Sequence, residues 1–250
     1  MKIVACFKIS PEAQDIKTKP DRTLDLSQAQ WKIGTYDLNT IEEARQLADE
    51  CGGTVIGLSA SGTALGNPKS AKDALSRGLD ELVTVIDDSA GSAESFQTAT
   101  LLAHAIEQIG GVDLVLCGAG SSDQFTQQVG NQLSVILGWP GINAVDAIKS
   151  NGESVTVDRA LENGVQVIEV TLPAVLSLTA GINTPRIAGM KDILAAGKKP
   201  ITALDFEGLV EPTRTCESEL APELMDRRHI IIEGSAADAA AELAGYLKAL

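Results

Sequence analysis

Aromatic residues are scarce in this chain of 250 residues, since phenylalanine, tryptophan and tyrosine together make up only 3% of it. Alanine, valine, isoleucine and leucine must therefore fill the core, as is common where helices cover a parallel sheet. The hydrophobic fraction of 44% is enough for a sizeable core. The length fits one large domain, or a domain with an extension.

Positive charge is also in short supply, with 20 lysine and arginine residues against 34 aspartate and glutamate residues, a net charge of −14. This balance argues against nucleic-acid binding and against anionic membrane surfaces, but it leaves a cationic protein partner open. No apolar run approaches the ~20 residues that a membrane span needs. The four cysteines are scattered without Cys-x-x-Cys spacing, which argues against a metal site and suits a reducing compartment. We expect a soluble, cytoplasmic protein with no direct membrane insertion.

Recognisable catalytic motifs are missing as well. The chain has two histidines, and His104 lies in an Ala/Leu-rich helical pattern where a packed or surface histidine explains it better than a general base. There is no GxSxG, HExxH or P-loop, and Gly118-Ala119-Gly120 lacks the third glycine of a dinucleotide fingerprint. We therefore expect no catalytic residues, and any redox chemistry would be carried by a cofactor.

The first 140 residues alternate short apolar runs with amphipathic segments. The runs predict strands, and the segments between them predict helices, of which the first is capped by Asp37. The predicted strands are Lys2–Ile9, Thr54–Ser59, Leu82–Ile86 and Val112–Cys117. The spacing requires parallel pairing, so the fold class is α/β with a doubly wound, mainly parallel, Rossmann-like sheet and a ligand crevice at the carboxyl ends of its strands.

The stretch from Asp113 to Pro140 is the most informative part of this pattern. A buried strand ends at Cys117, a glycine- and serine-rich turn follows, and an amphipathic helix begins near Val129. A helix N-terminus behind such a turn offers unpaired N–H groups to a phosphate. A βα connection without any ligand explains the same residues, so both readings stay open here. The turn at Ala60–Thr63 falls on the same edge and can converge on the same ligand.

The pattern changes after Ile142. Alternating runs around Asn163-Gly164 predict a hairpin over residues 154–172 with a type I′ turn. A buried strand (Pro173–Leu178), a breaker-rich loop and a short helix (Met190–Ala196) follow. We expect an α/β domain over residues 1–205, and a C-terminal arm with a terminal helix over residues 206–250.

Several segments, in order, resemble the β subunit of electron-transfer flavoproteins, and most closely its FixA-like branch. The resemblance spans almost the whole chain and is specific through the order and spacing of its motifs rather than through any one of them. Those motifs are Val4–Lys8, Tyr36–Ala44, Ala74–Gly78, Val157–Gly164, Leu172–Val175, Asn183–Arg186 and Lys198–Pro200.

The resemblance implies a fold of the adenine nucleotide α-hydrolase-like type and a role as an electron carrier. Such β subunits bind AMP in the sheet crevice and pair with an α subunit, with FAD at or near their interface. The heterodimer shuttles electrons from acyl-CoA or other flavin dehydrogenases to an acceptor such as a quinone oxidoreductase.

The resemblance also assigns residues. A phosphate loop would run from Asp123 to Gly130, with adenosine and flavin contacts elsewhere around the crevice. The implied cofactor-binding residues are Cys6, Tyr36, Ser59, Ala60, Gly118, Asp123, Thr126, Gln127, Gln128, Val129 and Gly130. Partner dehydrogenases would dock on the segment Pro185–Ala195, through Pro185, Arg186 and an apolar anchor at Met190, and the arm from Arg214 would wrap the α subunit.

One departure bears on the nucleotide. Members with a second FAD in this crevice tend to carry Asp-Gly-Asp-Thr-x-Gln-Val-Gly-Pro, whereas this chain has Gln124, Phe125 and Asn131 in place of the glycine, the second aspartate and the proline. The bulk of Phe125 favours AMP over FAD. An adenine-nucleotide-binding regulatory protein of the universal-stress type is the alternative, although its Gly-x₂-Gly-x₉-Gly-Ser/Thr loop is missing. An NAD-linked dehydrogenase is disfavoured by the broken fingerprint.

Overall fold

The structure is a computed structural model that describes residues 1–61, 68–86, 93–206, 212, 216–223 and 229–248. Contacts divide the chain into two compact units, Met1–Lys17 with Asp25–Ser218 and Thr18–Leu24 with Glu219–Leu250. Three predicted features fall outside the described residues, in whole or in part. They are the turn at Ala60–Thr63, the arm from Arg214 and the last two residues of the terminal helix.

Strands and helices alternate through the first half of the chain, as predicted. In chain order the elements are β1 (Lys2–Cys6), β2 (Ile9–Pro11), β3 (Lys17–Thr18), β4 (Leu24–Asp25), β5 (Trp31–Ile33), α1 (Thr35–Cys51), β6 (Thr54–Ser61), α2 (Pro68–Ser76), β7 (Glu81–Ile86), α3 (Ser95–Ile109), β8 (Leu114–Gly118), α4 (Val129–Leu137), β9 (Gly141–Ser150), β10 (Ser154–Leu161), β11 (Gly164–Thr171), β12 (Ala174–Leu178), α5 (Met190–Ala196), β13 (Ile201–Leu204) and α6 (Ala236–Lys248).

A nine-stranded sheet forms the centre of the larger unit, in the order β11-β10-β9-β12-β8-β1-β6-β7-β13. Neighbouring strands pair in parallel from β9 through β12, β8, β1, β6 and β7 to β13, and the pairs β9-β10 and β10-β11 at the other edge are antiparallel. The chain moves from β1 to β6 and β7 on one side and then to β8 on the other. The doubly wound, mainly parallel α/β fold is thereby confirmed, and its topological switch point lies between β1 and β8.

Helices cover both faces of this sheet, and alternate residues of β1 point to different faces. Ile3 and Ala5 belong to a core cluster with α1 and α2, while Val4 and Cys6 belong to a second cluster with α3 and α4. The buried hydrophobic side chains are almost all aliphatic, and Phe7 is the aromatic exception among those described. Small and branched side chains therefore fill both layers, as the composition predicts.

The hairpin is present, but the predicted turn is wrong by one residue. Leu161 pairs with Gly164, so the two-residue loop is Glu162-Asn163, and Asn163 does not adopt a positive φ. The register places Val155 opposite Val170 on the buried side of the pair. Because burial of these valines sets the register, it overrides the local preference of Asn-Gly for a type I′ turn.

Two other sequence expectations are corrected. The predicted first strand ends at Cys6 rather than Ile9, because Ile9–Pro11 forms β2 and pairs with β5 in a separate two-stranded sheet. Asp37 does not cap α1, which begins two residues earlier, after Gly34. Its carboxylate is buried and accepts a hydrogen bond from the backbone N–H of Lys8 at 2.9 Å instead. This contact places an acidic group at the end of β1.

Candidate functional site

A cleft opens at the carboxyl edge of the sheet, beside the switch point between β1 and β8. Its volume is about 110 Å³. Ligands of doubly wound sheets bind at this place, because the loops after the two strands diverge and leave a crevice. The cleft is therefore the candidate nucleotide site.

Most of the residues assigned from the sequence line this cleft. Those lining it are Cys6, Ala60, Gly118, Thr126, Gln127, Gln128, Val129 and Gly130. Three of the assigned residues lie beside it instead. Tyr36 packs its ring 5.3 Å from that of Phe125, Asp123 pairs with Lys8, and Ser59 is fully buried next to Ala60. The Ser59 hydroxyl has no hydrogen-bond partner within the described chain.

The loop between β8 and α4 has an unusual backbone. Phe125 and Gln127 adopt positive φ values of 47° and 58°, which residues other than glycine seldom do. The N–H groups of Gln124 and Phe125 donate to the Ser121 hydroxyl at 3.3 and 3.4 Å, and Gln124 N–H also donates to Asp123 at 2.8 Å. These bonds hold the first turn of the loop. Positive φ values two residues apart, at Phe125 and Gln127, are the kind of backbone from which anion-binding nests are built.

The N-terminus of α4 has no side-chain cap. Gln128 occupies the N-cap position, but its side-chain oxygen accepts a hydrogen bond from the Ser95 hydroxyl at 2.9 Å. Within the described residues, the N–H groups of Val129, Gly130 and Asn131 donate to no protein acceptor. Unclaimed N–H groups at a helix N-terminus, beside a positive dipole end, suit an anion such as a phosphate. The donor set at this end of the cleft therefore fits a nucleotide phosphate.

The rim of the cleft carries an ion pair, in which the Lys8 ammonium lies 2.7 Å from Asp123. Burial opposes ionisation of Asp123, but the hydrogen bonds from Lys8 and Ser121 outweigh it and lower its pKa. Asp37, deeper in the cleft, has no such counterion at its carboxylate. Burial raises its pKa to about 7, although the N–H and the charge of Lys8 oppose the shift. Asp37 therefore titrates near neutral pH.

Two thiols form the floor. Cys6 is the last residue of β1, and Cys117 is the penultimate residue of the neighbouring β8. Both are free and buried, and both line the cleft. A hydrogen bond with Cys117 and burial raise the pKa of Cys6 well above its usual value. Protonated thiols at such a place act as small apolar groups. The floor is therefore apolar, whereas the polar donors lie on the loop side.

The family model for the electron transfer flavoprotein domain matches residues 22–208. The chain belongs to this family. Electron transfer flavoproteins carry electrons rather than catalyse a reaction of their own. The match covers the cleft loop, the hairpin and α5, and it supports the family without distinguishing among its subunits.

The segment Pro185–Ala195 of this electron transfer flavoprotein chain, where docking is expected, is held in place at its start and exposed beyond it. Arg186 contacts the nearly buried carboxylate of Glu42 through two nitrogens, at 2.6 and 3.0 Å. Asn183 and Asn39 exchange hydrogen bonds beside this pair. Arg186 thus holds the segment against α1. A side chain that contacts a docking partner would instead project into solvent.

Downstream of this anchor the apolar side chains face solvent. Ile187 is 94% exposed, Met190 is 74% exposed and Leu194 is 66% exposed. Ile187 and the start of α5 therefore present an apolar surface on a well-supported scaffold, and Pro185 before them is half-buried.

Sequence reasoning missed Lys8, Asp37 and Ser95 as parts of the site. Lys8 lies near the end of the first predicted strand, at the edge where a ligand crevice is expected, and this position was the available signal for it. Asp37 lies at the start of the first predicted helix, where no local pattern places it in the cleft. Ser95 lies 33 residues from its partner Gln128, so no local pattern could pair them.

Two negative findings complete the site. No group of three or more His, Cys, Asp or Glu side chains in the described part of the chain is placed to hold a metal ion. Among the helices that the structure describes, none has the length and apolarity to cross a membrane. His104 packs edge-on against Phe206, with ring centroids 5.0 Å apart, outside the cleft.

Proposed function

We propose that the chain is the β subunit of a heterodimeric electron transfer flavoprotein, of the FixA-like branch, with AMP bound in the cleft. The observation that carries the proposal is the loop between β8 and α4, with its positive-φ residues and unclaimed N–H groups at the switch point. FAD binds at or near the interface with an α subunit, and it supplies the redox chemistry.

In this proposal the chain's own residues bind and orient the nucleotide. The N–H groups around Val129 receive the phosphate, and the helix dipole favours its charge. Lys8 is a cation at the same rim, while Cys6 and Gly118 leave an apolar floor for the adenine ring. Ser59 and Ala60 lie at the far wall, and Tyr36 supports Phe125.

The nucleotide is AMP rather than FAD because Phe125 fills the space beside the loop. Its ring lies against Gly120, where even a Cβ atom would come within 2.5 Å of it. The ring of Tyr36 supports Phe125 from the other side. A second phosphate with a flavin attached needs room that these rings occupy.

A dehydrogenase docks on the apolar turn of α5, with Met190 as its anchor. A flexible, polarisable methionine suits a surface that accepts several partners. Arg186 sets the position of this turn through its backbone and side-chain contacts with Glu42, and Pro185 directly precedes it. The proposal also places the arm from Arg214 on the α subunit, and the free thiols suit the cytoplasm.

Co-expression with an electron transfer flavoprotein α subunit tests the proposal. We expect a yellow heterodimer whose absorbance spectrum is that of bound flavin. A colourless chain that elutes alone in the presence of the α subunit would overturn the proposal. Co-expression with an unrelated acidic protein of similar size provides the control for non-specific association.

A further inference from the structure

A second and larger cleft lies away from the nucleotide site, between β5, α2 and the start of α5. Its volume is about 910 Å³. One wall is a face of α2 that carries Lys69, Lys72, Asp73 and Ser76, of which the two lysines are exposed and Ser76 is buried. These positions follow the i, i+3, i+4, i+7 spacing of one helix face. The opposite face of α2 packs into the core through Ala74 and Leu75.

The charge of this cleft is opposite to that of the chain. Lys32, Lys69, Lys72 and Arg77 line it, against the single carboxylate of Asp73, in a chain whose net charge is −14. Lys32 is paired with Glu12 outside the cleft lining, and Arg77 is paired with Asp73. Lys72 is exposed and forms no ion pair within the described residues. Lys72 is therefore a cation in the cleft lining that no carboxylate among the described residues neutralises.

Apolar groups accompany these cations. The Trp31 side chain lines the cleft and is 47% exposed, in a sequence with only two tryptophans. At the other end, Ile187 and Ile193 join the cleft to the apolar turn of α5. Tryptophan and arginine are enriched at protein interfaces, and a polar rim surrounds their apolar centre.

We propose that this cleft binds an acidic segment of a partner protein, one whose carboxylates alternate with apolar side chains. The carboxylates face the lysines of α2, and the apolar side chains contact Trp31 and Ile187. Because the apolar turn of α5 is continuous with the cleft, one partner can occupy both. The inference rests on the proposed function only in taking that partner to be a dehydrogenase of the electron-transfer chain.

Two other occupants fit less well. A small anion would use the cations but leave Trp31 and the isoleucines in water. An anionic membrane surface is repelled by the net charge of −14, and it is flat where the cleft is concave. A protein segment that alternates carboxylates with apolar side chains matches both the cations and the apolar residues of the cleft.

Calorimetric titration with a synthetic peptide of repeated Glu-Leu-Asp-Phe units tests the inference, with a Gln-Leu-Asn-Phe peptide as the neutral comparison. The protein is the heterodimer with its flavin. We expect the acidic peptide to bind, the neutral one to bind at least about tenfold more weakly, and added salt to weaken binding.

Lys72→Glu should lower the affinity about tenfold. Lys149→Glu is the matched control, since Lys149 is an exposed lysine on β9 that is absent from the cleft lining, and it should leave the affinity unchanged.

Equal binding of both peptides, equal loss in Lys72→Glu and Lys149→Glu, or no binding at all would overturn the inference. So would binding to phosphatidylserine vesicles in place of the peptide. Flavin absorbance is recorded on each sample, because a yellow heterodimer that ignores the peptide leaves the proposed function standing. If no flavin is bound, the same titration with the chain alone still shows whether the cleft binds the acidic peptide.

Discussion

The carboxylate of Asp37 accepts a hydrogen bond of 2.9 Å from the backbone N–H of Lys8. This contact joins the first turn of α1 to the end of β1, and it places a buried acid in the lining of the candidate nucleotide cleft. The Lys8 ammonium turns away to Asp123, at 2.7 Å. Lys8 thus holds both Asp37, through its backbone N–H, and the loop at the rim of the cleft, through the ion pair with Asp123.

Asp37→Asn should change how stability depends on pH. Burial raises the pKa of Asp37 from its usual 3.8 to about 7, so ionisation of this group disfavours the folded state. The protonated form predominates in both states at low pH, and stability falls as the pH rises from about 4 to about 7, by on the order of 4 kcal/mol. Asparagine keeps the acceptor for Lys8 and cannot ionise. Urea denaturation at pH 4, 6 and 8, without nucleotide, should therefore find that the variant is more stable than the wild type at pH 8 and that this advantage shrinks toward pH 4.

Asp205→Asn is the matched control, because Asp205 is exposed and lies outside the cleft. It should leave the pH profile of the wild type unchanged. Parallel profiles for Asp37→Asn and the wild type would contradict the proposed effect of burial.

Arg186→Ala should loosen the docking segment. Burial opposes ionisation of Glu42, but hydrogen bonds from Arg186 and Gln46 outweigh it and lower its pKa. Removing the guanidinium leaves a nearly buried carboxylate with fewer partners, which should cost about 1–3 kcal/mol, toward the lower end because Arg186 is partly exposed. Thermal unfolding measures the loss, and hydrogen exchange should increase over residues 183–190.

The double variant Glu42→Gln/Arg186→Ala separates charge from packing. It should recover part of the stability, since the uncompensated charge is gone. A double variant as unstable as the sum of the two single variants would mean that the two side chains act independently.

The fold was accessible from the sequence because its strands are short apolar runs between amphipathic helices. The predicted strands at Thr54–Ser59, Leu82–Ile86 and Val112–Cys117 lie within two residues of their observed ends, and α5 has its predicted bounds. The sequence pattern did not predict β9, because a bulge interrupts this strand. Ala144 adopts a φ of 56° and the register shifts there, so the apolar residues do not alternate regularly.

Only part of the candidate site could be predicted from the sequence. The turn after Cys117 was predictable because glycine, serine and a following helix have a local pattern. The partners of Asp37, Gln128 and Arg186 were not, since each depends on contacts between residues 29 to 144 positions apart. Burial, which decides whether Asp37 caps a helix or lies within a cleft, is a property of the assembled sheet.

Phe125→Gly should admit a larger nucleotide. The change removes the ring that packs on Gly120 and Tyr36, and glycine accepts the positive φ of this position. The ratio of FAD to AMP released from the denatured heterodimer should rise about tenfold or more, a change of about 1.4 kcal/mol in relative affinity. Phe125→Leu keeps most of the bulk and should resemble the wild type. An unchanged ratio in Phe125→Gly would show that this ring does not select the nucleotide.

Met190→Asp should slow electron transfer without loss of flavin. A carboxylate at the exposed anchor would be desolvated when an acyl-CoA dehydrogenase docks, so the rate of flavin reduction should fall about tenfold or more at limiting protein. Val135→Asp adds the same charge at an exposed valine on α4 and serves as the control. Stopped-flow absorbance measures both, and equal rates for the two variants would contradict docking at α5.

Chromatography of the nucleotides released when the purified heterodimer is denatured tests the central claim most directly. The account predicts AMP from the cleft and FAD from the interface, each close to one per heterodimer. Reversing the charge of the rim with Lys8→Glu should lower the AMP and spare the FAD. Release of ATP or NAD in place of AMP, or of no adenine nucleotide besides FAD, would contradict the account.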